Sequence, residues 1–440
     1  MIKTLRNALK VKDIRTRLIF TFICLLVVRL GTLLPAPAIS QEVTSQWFNN
    51  ASLGFFNSLT GGSFTKMSIF ALSITPYISS SIIIQLLTIA IPKLEELQKE
   101  GEDGRKVMNE ITRYVTVALA FIESAAMAIG FGNSGALEGG LTFTNVVVIV
   151  ASFTAGSAFL MWLGEKITQY GVGNGISIIL LINIVSRMPH DFINLFTKFV
   201  YKKPVMTASI STVLIIAVTV ATIVLVIVLQ DMLRKIPVQY AKKVQGRKMV
   251  GGQTSHIPLK VNTAGVIPVI FANSLMTFPI VIASFFGVSP ARAHFWPKVL
   301  MVLNQDSWLV FKTWGDFKYS IGLLIYIALL IFFAYFYTSI TFNPIEVSNN
   351  MKKQGGFIPG IRPGKPTTEY LTKVLNYVIL IGAIGLTIVS VIPIFFSGAF
   401  GANVSFGGTS VIIIVGVIIE TIKQIESQLL VRHYKGFIND

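Results

Sequence analysis

The chain has 440 residues, of which 53% are hydrophobic and only 13% charged, with a formal net charge of +17 and a mean hydropathy of +0.69. That balance excludes an ordinary soluble domain and indicates a polytopic membrane protein. The single cysteine, Cys24, excludes an internal disulfide and a thiolate metal cluster.

The amino-terminal arm carries Lys3, Arg6, Lys10, Lys12, Arg15 and Arg17, so the positive-inside rule places it in the cytoplasm. The first apolar run starts at Leu18, is long enough to stay as a span and lacks a small-residue cleavage site; no processing is expected. The stretch Leu53 to Gly62 is far shorter than the ~20 residues a spanning helix needs and ends on a helix-stopping glycine pair. Met67 to Leu87 is long enough to span, yet it carries Pro76, Ser79, Ser80, Ser81 and Gln85. A broken backbone is tolerated at membrane depth only inside protein or beside a water-filled cavity, so an interior path is expected.

Ten long apolar segments fall near residues 18–38, 67–91, 112–132, 144–164, 175–196, 208–233, 263–287, 319–342, 374–397 and 409–430. Ten spans put both termini in the cytoplasm and most of the 37 lysines and arginines with them, although the external loops around Lys202 and Lys298 also carry positive charge. Division at the loop near Lys202 gives two halves of five spans, and an odd number per half forces inverted topology. Such halves often enclose a functional path at their interface. The halves share no convincing residue-level similarity, so the repeat follows from topology alone.

Gly171-Val172-Gly173-Asn174-Gly175 has no preceding strand and no following Lys-Ser/Thr, which favours a tight cytoplasmic turn over a phosphate-cradling loop. Arg29 and Glu123 are intramembrane charges on different spans, for which structural pairing or contact with another subunit is the leading reading. The histidines (His190, His256, His294 and His433) fall outside the spans and too far apart for an obvious metal site or proton relay. No paired carboxylates, nucleophile with a base or Walker-type loop emerges, so no enzyme activity, metal or cofactor is expected.

Two cytoplasmic loops exceed what connection requires. Arg234 to Val244 alternates apolar and polar residues, turns at Gln245-Gly246 and resumes with Arg247-Lys248-Met249-Val250, predicting a β-hairpin with a cationic tip. Asn343-Pro344-Ile345-Glu346 predicts a capped helix start, with an end near Gly355-Gly356 and a turn-rich loop presenting Arg362. Membrane topology and lipid attraction account for the basic charge. The ordered shapes instead suggest docking of a large anionic partner, RNA or an acidic protein face.

With these motifs assembled, the chain resembles the SecY family along essentially its whole length. The resemblance rests on Ser68 to Leu87, on Met161-Trp162-Leu163-Gly164-Glu165 through Gly171 to Ser177, on Val261 to Pro268, and on Gly356 to Gly364. One departure is Ser73, where the family usually has glycine.

The resemblance implies an all-α polytopic membrane protein, with ten transmembrane helices in two inverted five-helix halves around a central pore and a short re-entrant plug helix. Residues 1–200 would form the first half, with the plug near 53–62, and residues 201–440 the second, with cytoplasmic loops at 234–262 and 343–373. It implies a protein-conducting channel subunit that translocates unfolded preproteins across the bacterial plasma membrane and releases hydrophobic segments laterally into the bilayer. Carried over by position, the pore ring is Ile74, Ile78, Ile176, Leu180, Ile270 and Ile413, with Leu180 replacing an expected isoleucine. A narrow aliphatic ring dewets and blocks ions without gripping substrate side chains.

The plug would comprise Phe55, Phe56, Asn57, Ser58 and Leu59, hinged at Gly61 and Gly62. Ser79, Ser81, Gln85 and Asn273 would form a polar seam at a lateral gate, each hydrogen bond worth only ~1 kcal/mol. Arg247, Lys248 and Arg362 would dock the motor ATPase SecA and the translating ribosome, with SecE and SecG as membrane partners alongside signal-bearing polypeptides and lipids. Rival readings are a secondary transporter for a small solute, which usually needs intramembrane acids that this chain almost lacks, and an intramembrane protease, which needs a nucleophile pair or metal motif.

Overall fold

The computed structural model describes residues 6, 8–40, 60–133, 135–201, 203–240, 243–245, 248–250, 254–285, 299, 321–400 and 408–436. Seven helices come first: α1 (Lys12–Gly31), α2 (Thr75–Ala90), α3 (Pro92–Lys99), α4 (Glu102–Asn133), α5 (Phe143–Tyr170), α6 (Gly175–Phe199) and α7 (Val205–Asp231). Strands β1 (Leu233–Tyr240), β2 (Lys243–Gln245), β3 (Lys248–Val250) and β4 (Thr254–Lys260) follow. The chain continues through α8 (Ile267–Phe285), α9 (Ile321–Thr341), α10 (Pro344–Lys353), β5 (Gly356–Phe357), α11 (Lys365–Phe400) and α12 (Gly408–Gly436).

Each predicted apolar segment holds a helix among the described residues. Among the described residues, six helical stretches are long and apolar enough to cross a membrane, or seven if the bent pair α2 and α3 forms one span. Charges interrupt others: Arg17 and Arg29 bracket the apolar part of α1, and Glu420, Lys423 and Glu426 break up α12. The molecule is a multi-pass helical membrane protein, while the count of ten spans stays an expectation of the sequence.

The second segment takes a different form from its prediction. Met67 to Ile74 is a chain of turns, with Met67 and Ser73 at φ of 46° and 53°, and helix α2 begins only at Thr75 with Pro76 in its first turn. Proline is tolerated there because its missing N–H is one the first turn leaves unpaired anyway. The turns are buried, and Ala36 N donates to the Met67 carbonyl (2.8 Å) while Ile69 N donates to that of Leu34 (3.0 Å). Irregular backbone thus lies inside protein, as lipid requires. At its other end α2 breaks at Ile91, and α3 leaves at 103°.

Three large apolar clusters lie in the bundle among the described residues, beside two smaller ones. One draws only on the first half, including Phe64, Met127, Phe131 and Phe153. A second centres on the other half, including Val269, Tyr326, Leu330 and Ile412, with Ile82 of α2 packed against it. The third takes residues from both halves, and it is the one that concerns function.

The two elaborate loops fold together. β1 pairs antiparallel with β4 from Leu233↔Lys260 to Gln239↔Thr254, and with β5 through Tyr240↔Gly356, giving the order β4-β1-β5. This corrects the predicted hairpin: among the described residues β2 pairs with β3, from Lys243↔Val250 to Gln245↔Lys248, while the main partner of β1 lies further on at β4. Ile236, Val238, Leu259, Met351, Ile358 and Leu371 bury a small core beneath the sheet, each large side chain worth about 1.5–3 kcal/mol. Helix α10 starts as predicted, its Asn343 side chain accepting from Ile345 N (3.1 Å) and Glu346 N (3.4 Å).

Candidate functional site

The shared cluster draws on α1, α2, α5, α6, α8 and α12, and the six residues named from the resemblance come from four of these helices. Ile74 and Ile78 come from the start of α2, Ile176 and Leu180 from the first turns of α6, Ile270 from α8 and Ile413 from α12. Ile74 and Ile413 are fully buried, Leu180 and Ile270 nearly so, and Ile78 and Ile176 pack against them partly buried. All six residues named from the resemblance therefore meet in one aliphatic patch where the halves join. Phe70, Leu160, Leu163 and Ile179 back them.

Local geometry explains how α6 presents its pair. Asn174 caps α6 by accepting from Ile176 N (3.1 Å) and Ser177 N (3.4 Å), while Thr168 Oγ1 on α5 accepts from Gly175 N (2.9 Å). Val172 N donates to Thr21 Oγ1 on α1 (3.1 Å), and Arg17 Nη1 to the Gly171 carbonyl (3.3 Å). The glycine-rich segment is thus a turn fastened to α1 and α5. A salt bridge the sequence did not suggest, Arg113 to Glu165 at 2.6 Å, ties α4 to α5.

Gly61 and Gly62 have φ of 65° and 83°, conformations natural to glycine. Phe55, Phe56, Asn57, Ser58 and Leu59 lie outside the described residues, and so does Arg247.

For the seam, α2 packs on α4, α8 packs on α9, and α4 meets α8 between them. Gln85 Nε2 donates to Ser81 Oγ within α2 at a long 3.5 Å, Ser79 is half-buried, and Asn273 Nδ2 donates to Tyr326 Oη on α9 at 3.4 Å. The residue passed over in the serine triplet, Ser80, is the fully buried one and donates to the Thr112 carbonyl on α4 (2.8 Å). Only the rotational phase of α2 separates these serines, and the turns before Thr75 set that phase.

Arg362 is exposed on a loop held by Ser348 Oγ donating to the Gly364 carbonyl (3.2 Å) and Thr367 Oγ1 donating to that of Arg362 (2.8 Å). Lys248 lies on β3 opposite Gln245. His190 Nδ1 and Asn194 Nδ2 are 3.1 Å apart on the exposed side of α6, and no cluster of metal-binding side chains occurs among the described residues. Glu123 has no ion pair among the described residues.

Comparison with known proteins identifies the family and the fold. The SecY family profile matches residues 68–422. The protein translocase subunit SecY of Halalkalibacterium halodurans is 42% identical over 451 residues, and that of Bacillus subtilis 42% over 447, each alignment covering 100% of both chains. Among solved structures, a protein-conducting channel matches with a TM-score of 0.62 at 18% identity, covering 94% of this chain and 92% of that one. Canine Sec61 in a ribosome–channel complex from the endoplasmic reticulum matches with 0.58 at 17% identity, over the same shares. With full-length relatives at this identity and a shared fold, the chain belongs to the SecY family.

Proposed function

We propose that this chain is the central protein-conducting channel subunit of a translocase, passing unfolded preproteins across the plasma membrane and releasing hydrophobic segments sideways into lipid. The observation that carries the reading is the meeting of Ile74, Ile78, Ile176, Leu180, Ile270 and Ile413, from four helices of both halves, in one aliphatic patch. Residues 1–200 and 201–440 act as two halves closing on that patch, and residues 53–62 form a plug beside it. Both termini face the cytoplasm. The chain supplies no catalytic step; SecA or the translating ribosome drives movement, and SecE and SecG complete the membrane complex. Ser79, Ser81, Gln85 and Asn273 line the lateral gate, where the α4–α8 contact parts.

The test is transport of a signal-bearing polypeptide into vesicles containing the purified complex, with SecA and ATP added. Cysteines at Ile74, Ile270 and Ile413 are expected to crosslink to a stalled substrate. Uptake of a small solute with no polypeptide transport would overturn the reading in favour of a secondary transporter.

The β4-β1-β5 sheet and the Arg362 loop form one platform, which supports a docking role for Arg247, Lys248 and Arg362. Changing Arg362 to Glu is expected to slow SecA-driven export by about tenfold, because reversing an exposed interface charge acts mainly on association. The complex should still assemble, since the Arg362 side chain is exposed. Export at the parental rate would remove Arg362 from the docking surface.

A further inference from the structure

Helix α4 is held in two different ways along its length. In its carboxy-terminal half, external in the proposed topology, Met127 and Phe131 join Ile149 and Phe153 of α5 in an apolar cluster. At the height of the aliphatic patch this stops: among the described residues α4 contributes nothing to the shared cluster, although α2, α5 and α6 all do. Two polar contacts from adjacent residues of α4 take over there. Arg113 Nε donates to Glu165 Oε1 on α5 at 2.6 Å, and the Thr112 carbonyl accepts from Ser80 Oγ on α2 at 2.8 Å.

Each contact leads to the patch by a short route. Ser80 lies two residues beyond Ile78 on α2. Glu165 follows Gly164, where an added Cβ would lie 2.5 Å from Ile176 Cδ1 on α6. Thr112 and Arg113 thus tie α4 to both first-half elements that carry ring residues, while α4 also meets α8 across the seam between the halves. A close-packed apolar cluster moves as a body, whereas one half-exposed ion pair and one hydrogen bond are broken at modest cost. The cytoplasmic half of α4 can therefore swing about its fixed external half, and the two polar contacts decide whether α2 and α6 follow.

We propose that the Arg113–Glu165 ion pair and the Ser80–Thr112 hydrogen bond set how hydrophobic a segment must be to leave sideways. While they hold, parting α4 from α8 also pulls on the aliphatic patch, so a segment must gain more from lipid before the seam opens. Cutting either tie lets α4 move alone, and less hydrophobic segments then enter the bilayer. Coupling is reciprocal, so a segment lodged in the seam widens the ring through the same ties. Arg113, Glu165 and Ser80 are positioning residues, since they act through α4 rather than on the substrate. The inference rests on the reading of the α4–α8 contact as a lateral gate.

The test uses the complete complex in vesicles with SecA and ATP, given a secreted polypeptide whose leucine-alanine segment divides evenly between insertion and translocation in the parental complex. Arg113→Gln and Glu165→Gln are each expected to raise the inserted-to-translocated ratio about threefold, the scale of one half-exposed ion pair. The double variant should rise no further, because both changes cut the same tie. Arg113→Lys retains the charge and a donor for Glu165, and should stay near the parental ratio. Ser80→Ala cuts the other tie and moves the ratio the same way, which keeps the test open if the glutamine variants fail to assemble. Loss of structure lowers insertion and translocation together, whereas this shift exchanges one for the other.

Parental sorting in Ser80→Ala and in the glutamine variants would overturn the proposal. Additive effects in the double variant, or Arg113→Lys sorting like Arg113→Gln, would do the same. A parental complex that inserts no segment at any leucine content would instead sink the lateral-gate reading beneath it.

Discussion

Replacing Ile413 by aspartate is expected to raise the resting ion conductance of the assembled channel by at least about tenfold, because a carboxylate at a narrow constriction draws in the water that an aliphatic ring repels. Ile413 is fully buried among Ile74, Leu180 and Ile270, so the new charge has two ways to avoid dehydration. It can unfold the packing, or it can wet the gap between the halves. A charge at the centre of a membrane helix costs about 2.5–3.5 kcal/mol by insertion scales, and water entering a preformed path lowers that cost. If the patch were only a core, aspartate would reduce assembly and leave conductance alone. The control is Ile413→Leu, which keeps volume and apolar character, costs less than about 1.5 kcal/mol and should leave the seal tight. An assembled Ile413→Asp channel with parental conductance would remove Ile413 from the ring.

The sequence made this patch visible only in part. Apolar length and the cost of bare backbone in lipid reveal the helices directly, and each predicted segment does hold one. The start of α10 is equally legible, because Asn343, Pro344 and Glu346 each act within one turn. Long-range partners are different. The alternation in Arg234 to Val244 predicts a strand, but period two does not say which strand it pairs with, and the partner at Thr254–Lys260 carries Pro258 and follows two glycines. In α2 the left-handed turns at Met67 and Ser73 reset the helix phase, so the sequence could not tell which serine of the triplet is buried. The six ring residues look like any other aliphatics in a membrane helix; family resemblance selected them, and the fold brought them together.

Gly175→Ala is expected to destabilise the complex by about 3 kcal/mol, at the upper end of what overpacking costs, because the obstruction is backbone. A Cβ at Gly175 would lie 1.9 Å from the Gly164 carbonyl oxygen and 2.7 Å from Ile167 Cβ, so α6 would have to move away from α5. That movement would break the bond from Gly175 N to Thr168 Oγ1 and shift Ile176 and Leu180, which project from the next turn into the shared patch. Loss of stability and loss of the seal should therefore appear together. Gly164→Ala provides the contrast from the other side of the same contact. Its Cβ would meet Ile176 Cδ1 at 2.5 Å and Ile176 Cγ1 at 3.3 Å, and the end of a side chain can turn aside where a carbonyl cannot. Thermal unfolding of the purified complex should show a much larger loss for Gly175→Ala than for Gly164→Ala. Equal losses would mean that the α5–α6 contact yields as a unit, and that the close approach at Gly175 does not hold Ile176 and Leu180 in place.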